Sequence, residues 1–167
     1  MDGPMEDRFR QEVRENLSRI EDALVAVLGQ LANFTYPDEI AAIDFEVFGD
    51  AFSSQFPARA FFLDKSNCEY FVEVDGKATY PSPVDPELLH ITGIYSQEFE
   101  DECIADAPDL DPWSIATEEF ILWFHLCWGK AGGSSLKLAA TLAHHDSSRE
   151  FNLQSGQWQA RGTAFRA

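Results

Sequence analysis

His144-His145-Asp146 is the densest grouping of side chains able to bind a metal or move a proton. Imidazole and carboxylate together suit zinc or iron. Adjacent residues on a strand point to opposite faces, however, so His144 and His145 would not share one ion. No HExxH spacing occurs, and His90 and His125 stand apart from any second His or Cys pair. The segment reads as a polar strand end entering a turn, with no metal bound. His125 is expected to satisfy a local hydrogen bond near Glu118.

Cys68, Cys103 and Cys127 are widely spaced and form no CxxC pair. An odd count argues against a disulfide framework. Cys127 falls on an apolar helix face, where a thiol behaves as a small hydrophobe. Asp106, Asp109 and Asp111 miss the calcium-loop pattern and lack its turn glycine. The pairs Glu98/Glu102 and Glu118/Glu119 read as surface helical carboxylates rather than an acid–base couple. Gly132-Gly133-Ser134-Ser135 follows a helix, whereas a phosphate loop must precede one. GxxxxGK[ST], GxGxxG and GxSxG are all absent from the sequence. No catalytic residue, cofactor or metal site is therefore assigned.

The charge pattern says more. The 167 residues carry a formal net charge of −17 and a pI near 4.4. Between Pro81 and Phe120 there are eleven acids and no Lys or Arg: Asp85, Glu87, Glu98, Glu100, Asp101, Glu102, Asp106, Asp109, Asp111, Glu118 and Glu119. From Ile121 onward two acids, Asp146 and Glu150, face five bases, Lys130, Lys137, Arg149, Arg161 and Arg166. Phosphate repulsion argues against nucleic acid as a ligand, and anionic membrane surfaces are disfavoured for the same reason. A basic protein partner is favoured by the field and by the association rate.

Apolar residues make up 45% of the chain, with fourteen phenylalanines, enough for one packed interior. One domain over residues 1–167 is expected. No apolar run approaches the roughly 20 residues that span a bilayer. The first residues, MDGPMEDRFRQE, lack an apolar signal region, which points to a cytoplasmic protein.

The elements that must carry these groups follow from periodicity. The stretch 112–131 is expected to be a buried central helix. Asp111 suits its N-cap, Pro112 its first position, and Gly132-Gly133 its stop. Trp113, Thr117, Phe120, Phe124, Cys127, Trp128 and Ala131 share one face, with Ile115, Leu122 and Leu126 opposite. Residues 1–33 read as one long amphipathic helix, with a stripe of Phe9, Val13, Leu17, Ile20, Leu24, Val27, Leu28 and Leu31.

Residues 38–80 read as an antiparallel meander. Its runs are 43–49, 58–64, 68–74 and 77–80, with Asp75-Gly76 as a two-residue turn. Ile43, Phe45 and Val47 alternate with Asp44 and Glu46, which predicts one wet sheet face and one face on a helix. Segment 81–111 is irregular and acidic, with short helices expected at PELLHI and SQEFEDECIA. Residues 136–160 should add C-terminal strands to the same sheet, with Phe151, Leu153 and Trp158 facing inward, before a frayed RGTAFRA. The fold class is α+β, an antiparallel sheet with helices packed on one side.

In gross profile the chain is similar to bacterial immunity and inhibitor proteins, which cover the basic active site of a toxin. No family motif covers any part of it. The expected function is protein binding through the 85–119 surface. Tyr95, Phe99 and Trp113 would be anchors within a rim of Glu98, Glu100, Asp101, Glu102, Asp106, Asp109 and Asp111. The alternative is a small-molecule-binding domain or enzyme, with a pocket between the aromatic helix and the sheet and His125 or His144 as its polar group. Two surfaces are offered for homo-oligomers: residues 5–31, and the Ile115/Leu122/Leu126 face.

Overall fold

The computed structural model describes residues 3–48, 55–87, 89–91 and 93–166. The N-terminal region is two helices, α1 (Pro4–Ser18) and α2 (Glu21–Ala32), rather than one. At the break the Ser18 hydroxyl donates to the Glu15 carbonyl at 2.7 Å. Such a bond competes with the backbone ladder. Ile20 then leaves helical geometry at φ −109°, ψ 6°. Phe9, Val13, Leu17, Leu24, Leu28 and Leu31 are all buried within the molecule. Most of the stripe is thus spent on docking, with Ile20 and Val27 half-buried.

Strands β1 (Ile40–Val47) and β2 (Phe56–Asp64) open the main sheet as an antiparallel pair. The expected third strand at 68–74 largely fails. Asp64 turns its carboxylate onto the backbone N–H groups of Ser66 and Cys68, and Asn67 takes a left-handed φ of 60°. Only the bridge between Leu63 and Glu69 keeps ladder pairing there. The chain next forms a separate hairpin, β3 (Val72–Val74) and β4 (Lys77–Thr79). Its turn is Asp75-Gly76, with φ of 51° and 75°, as the sequence predicts. The described residues of PELLHI, all but Leu88, are not helical. The last of them form β5 (Leu89–Ile91), which adds to the edge of β2.

Helices α3 (Gln97–Asp106) and α4 (Pro112–Lys130) return the chain to the other side of β1. There β6 (Ala139–His144) pairs with β1 in parallel, as a long crossover connection allows. Strands β7 (Arg149–Asn152) and β8 (Gln157–Ala160) complete an order of β5-β2-β1-β6-β7-β8. The fold is α+β, and the sheet is mixed rather than wholly antiparallel.

The α4 helix covers the middle of the sheet. Asp111 caps it by accepting from Ser114 N–H at 3.1 Å. Phe45 meets Phe124 at 5.1 Å and Trp128 at 5.7 Å between ring centroids, and Phe56 stacks on Phe120 at 5.4 Å. All five rings are fully buried, so the core between α4 and these strands is filled by side chains. On the opposite side of α4, Ile115 is buried while Leu122 and Leu126 are 50% and 61% exposed. The expected three-residue apolar face is therefore reduced to two leucines. No helix among the described residues is long and apolar enough to cross a membrane.

After α4 the chain packs Gly133 against its own last aromatic residue. A Cβ on Gly133 would lie 2.1 Å from Trp128 Cε2, whereas one on Gly129 would meet nothing within 4 Å. Gly133→Ala should therefore destabilise by about 2–3 kcal/mol through overpacking. Gly129→Ala should be neutral or stabilising by up to about 1 kcal/mol. Urea midpoints of the two variants test the contrast.

Candidate functional site

The α3 helix carries most of the predicted acidic surface. Ser96 caps it by accepting from Phe99 N–H at 3.1 Å. Glu98, Asp101, Glu102, Asp106 and Asp109 are exposed along and just beyond it. Glu102 pairs with Arg8 of α1 at 2.9 Å. Among the described residues, Glu98, Asp101, Asp106 and Asp109 form no ion pair, although Asp106 lies within the field of Arg8. Asp111 is occupied as the α4 cap. Burial pushes the half-buried Glu100 carboxyl up, and the Tyr95 hydroxyl donates to it.

The aromatic anchors fare differently from the rim. Tyr95 is 2% exposed and meets Phe9 edge-on at 5.0 Å, so it belongs to the core and cannot enter a partner. Phe9 and Phe99 stack at 5.7 Å, leaving Phe99 half-buried. Trp113 is half-buried beside His144, with ring centroids 4.9 Å apart. Its alternating sequence position among acids did not reveal that the α4 start turns it toward the sheet.

The two carboxylates of α4, Glu118 and Glu119, are neutralised from α1. Glu119 is 5% exposed and receives Arg14 at 2.7 Å and Arg10 at 3.1 Å. Burial pushes its carboxyl up, but the hydrogen bonds from Arg14 and Arg10 outweigh this and hold it below the usual range. Glu118 pairs with Arg10 at 3.0 Å.

His144 and His145 do point to opposite faces. His144 faces the helices, where its Nε2 lies 3.2 Å from the Thr117 hydroxyl, and burial lowers its pKa. His145 faces the other way, with Nδ1 2.9 Å from Glu46. His125 does not find the local hydrogen bond expected of it. Its buried Nδ1 has no partner among the described residues, and its ring meets Phe151 edge-on at 5.2 Å. Cys127 is fully buried, and burial pushes its thiol up to about 12, which keeps it from being a thiolate near neutrality. Among the described residues no group of three or more His, Cys, Asp or Glu could hold a metal ion.

The arrangement that sequence reading missed lies on the sheet face away from the helices. Asp44 and Glu46 were expected to be wet, yet they are 7% and 9% exposed. Glu150 of β7 is 4% exposed beside them. Asp44 accepts from the Thr141 hydroxyl at 2.7 Å, and Glu150 accepts from Gln159 at 2.9 Å. The countercharge arrives from just after β8. Arg161 donates to Glu46, lies 3.5 Å from Asp44, and donates to the carbonyls of His144 at 3.0 Å and His145 at 2.7 Å. Residues 161–166 do not fray. Gly162, Ala164 and Phe165 line a small, partly open cavity of about 40 Å³ together with Asp44, Thr141 and Glu150.

Trp158 was expected to face inward but is 43% exposed. It shares the face of Phe151, its cross-strand partner, which it meets edge-on at 5.5 Å, but it stands on β8 at the edge of the sheet. The signal available for the buried cluster was the alternation Ile-Asp-Phe-Glu-Val in β1, which fixes a common side for the two acids but says nothing of what covers them. No family model matches the chain, and no curated protein or solved structure is similar to it at a significant level.

Proposed function

We propose that this chain is a soluble, cytoplasmic, acidic protein-binding domain of the immunity or inhibitor kind, which neutralises a basic protein partner. The observation that carries the reading is the row of exposed carboxylates Glu98, Asp101, Asp106 and Asp109, none of which forms an ion pair among the described residues. A charge left unpaired on a rigid helix projects its field outward and raises the association rate with a basic surface. The net charge of −17 strengthens that field over the whole molecule. Phe99 and Trp113 remain half-buried at the margin, while Tyr95 contributes from beneath by holding Glu100.

Charge reversal at the unpaired positions tests this. Glu98→Lys, Asp101→Lys and Asp106→Lys together should slow association with the basic partner by about tenfold or more at low salt. The dissociation rate should change far less, since rim charges act mainly on encounter. Stopped-flow association at two ionic strengths reads both. Unchanged association at low salt would remove α3 as the binding surface.

A further inference from the structure

The outer face of the sheet bears a strip of rings and one guanidinium in mutual contact, with Phe48 and Phe71 exposed. The β1–β2 register pairs Asp44 with Phe61 and Glu46 with Arg59, so these side chains share the outer face. From Glu46 the strip runs through His145, whose ring lies 4.6 Å from Phe48, to Phe61 at 6.2 Å from Phe48. Arg59 then stands between two rings, 5.3 Å from the Phe61 centroid and 5.5 Å from that of Tyr80. Phe71 ends the strip 5.2 Å from Tyr80. Phe48 and Phe71 are 40% and 41% exposed, unusual for phenylalanines beside a filled core.

The chain's own guanidinium groups show what this face accepts. Arg59 lies over Phe61 and Tyr80, donates to the Tyr80 hydroxyl and sits 3.5 Å from Glu87. Arg161 occupies the carboxylates and carbonyls at the far end. Each combines a planar cation with a ring face or a carboxylate, the pairing for which guanidinium is better suited than ammonium. Between those two cations the exposed rings of Phe48 and His145 have no cation over them among the described residues. The surrounding chain is acidic, and Glu69 and Glu73 beside Phe71 are exposed.

We propose that the outer sheet face, along Phe48, Phe61, Tyr80 and Phe71, docks an arginine-bearing segment of a basic protein partner. Arginine side chains would stack on the exposed rings, and the acidic surroundings would supply the field. The inference rests on the proposed binding of a basic partner and assigns its anchoring to a surface remote in sequence from α3. Lysine fits less well, because an ammonium is more strongly hydrated and lacks a plane to stack.

Acetylated hexa-arginine and hexa-lysine, equal in charge, are the probes, titrated into the full chain at fixed ionic strength. Hexa-arginine should bind at least about tenfold more tightly. The double variant F48A/F71A should lose that preference, and F48L/F71L, which keeps apolar area but removes the rings, should lose it too. Thermal melting of both variants checks that the fold is retained, as the exposure of these two side chains leads one to expect. The α3 variant E98K/D101K/D106K should weaken both peptides by a similar factor and keep the preference.

Equal affinities of the two peptides for the unaltered chain would overturn the inference while leaving the acidic-partner reading standing. So would a preference that survives in F48A/F71A and F48L/F71L. Light scattering that shows a dimer dissociated by F48A/F71A would assign the strip to a second copy of the chain and overturn it as well. Failure of both peptides to bind would end both readings.

Discussion

Arg161→Ala is expected to destabilise the chain by about 3–5 kcal/mol, because it leaves buried carboxylates without their cation. The guanidinium reaches Asp44 and Glu46, which are 7% and 9% exposed, and no other Lys or Arg of the described residues forms an ion pair with either. Its loss also frees the carbonyls of His144, His145 and Ser147, each an acceptor for Arg161. Residues 162–166 bond among themselves or to Ala160 and Arg161, so Arg161 is their main polar tie to the sheet. Their amides should exchange faster in the variant. Arg161→Lys should recover part of the loss, since it keeps the charge but not the fork. Combining Arg161→Met with Asp44→Asn and Glu46→Gln should recover most of it, because the charges are then removed together. Urea unfolding of the four proteins at pH 7.5 measures the series. A loss below about 1 kcal/mol for Arg161→Ala would mean that the cluster is solvated rather than buried.

The second large effect is a pH dependence of unusual sign. Burial raises the Asp44 carboxyl from 3.8 to about 6, against the opposing pull of the Thr141 hydroxyl and Arg161, and with Glu150 adding to the rise. Glu46 on the same strand and His145 beyond it are the other ionisable groups facing this cluster. A carboxyl whose folded pKa lies above its unfolded one penalises the fold when ionised. The penalty is full above pH 6 and disappears as pH falls below 3.8. Across that span Asp44 should add about 3 kcal/mol of stability on acidification, at 1.36 kcal/mol per unit. Glu119 has the ordinary sign: its lowered pKa contributes stability above the unfolded value that is lost as pH falls through the folded one. Asp44→Asn reads the first effect, since groups that do not interact with Asp44 cancel in the difference from the unaltered chain. Relative to that chain, the variant should lose about 2 kcal/mol between pH 7.5 and pH 4.5. A difference that stays constant over this range would show that Asp44 titrates normally.

Both effects come from the part of the molecule that was least legible in sequence. The central helix was fully legible, because Asp111, Pro112 and Gly132 mark its ends and its aromatic face repeats at helical spacing. The Asp75-Gly76 hairpin and the α3 helix were legible for the same kind of reason, a local signal acting over a few residues. The break at Ser18–Ile20 was not, since a stripe at steps of three and four continues through it unchanged. Nor was the parallel pairing of β1 with β6, which depends on a crossover that no local pattern records.

The acidic surface was legible as a count of charges, but not which of them stay unpaired. Arg8, Arg10 and Arg14 come from α1, more than eighty positions away in sequence, and neutralise Glu102, Glu118 and Glu119. Tyr95 read as an exposed anchor because it stands among acids, yet Phe9 buries it. Asp44 and Glu46 read as wet because they alternate with apolar residues, yet Arg161 and the segment after it cover them. In each case the deciding partner is remote in sequence, which single-chain periodicity cannot reach.

Capture from a cell lysate on the immobilised chain, run in parallel with the E98K/D101K/D106K variant and washed with rising salt, tests the proposed function most directly. One basic protein should be retained by the unaltered chain, be released as salt rises, and be absent from the variant. The same proteins retained on both, or a retained protein that salt does not release, would contradict an acidic binding surface on α3.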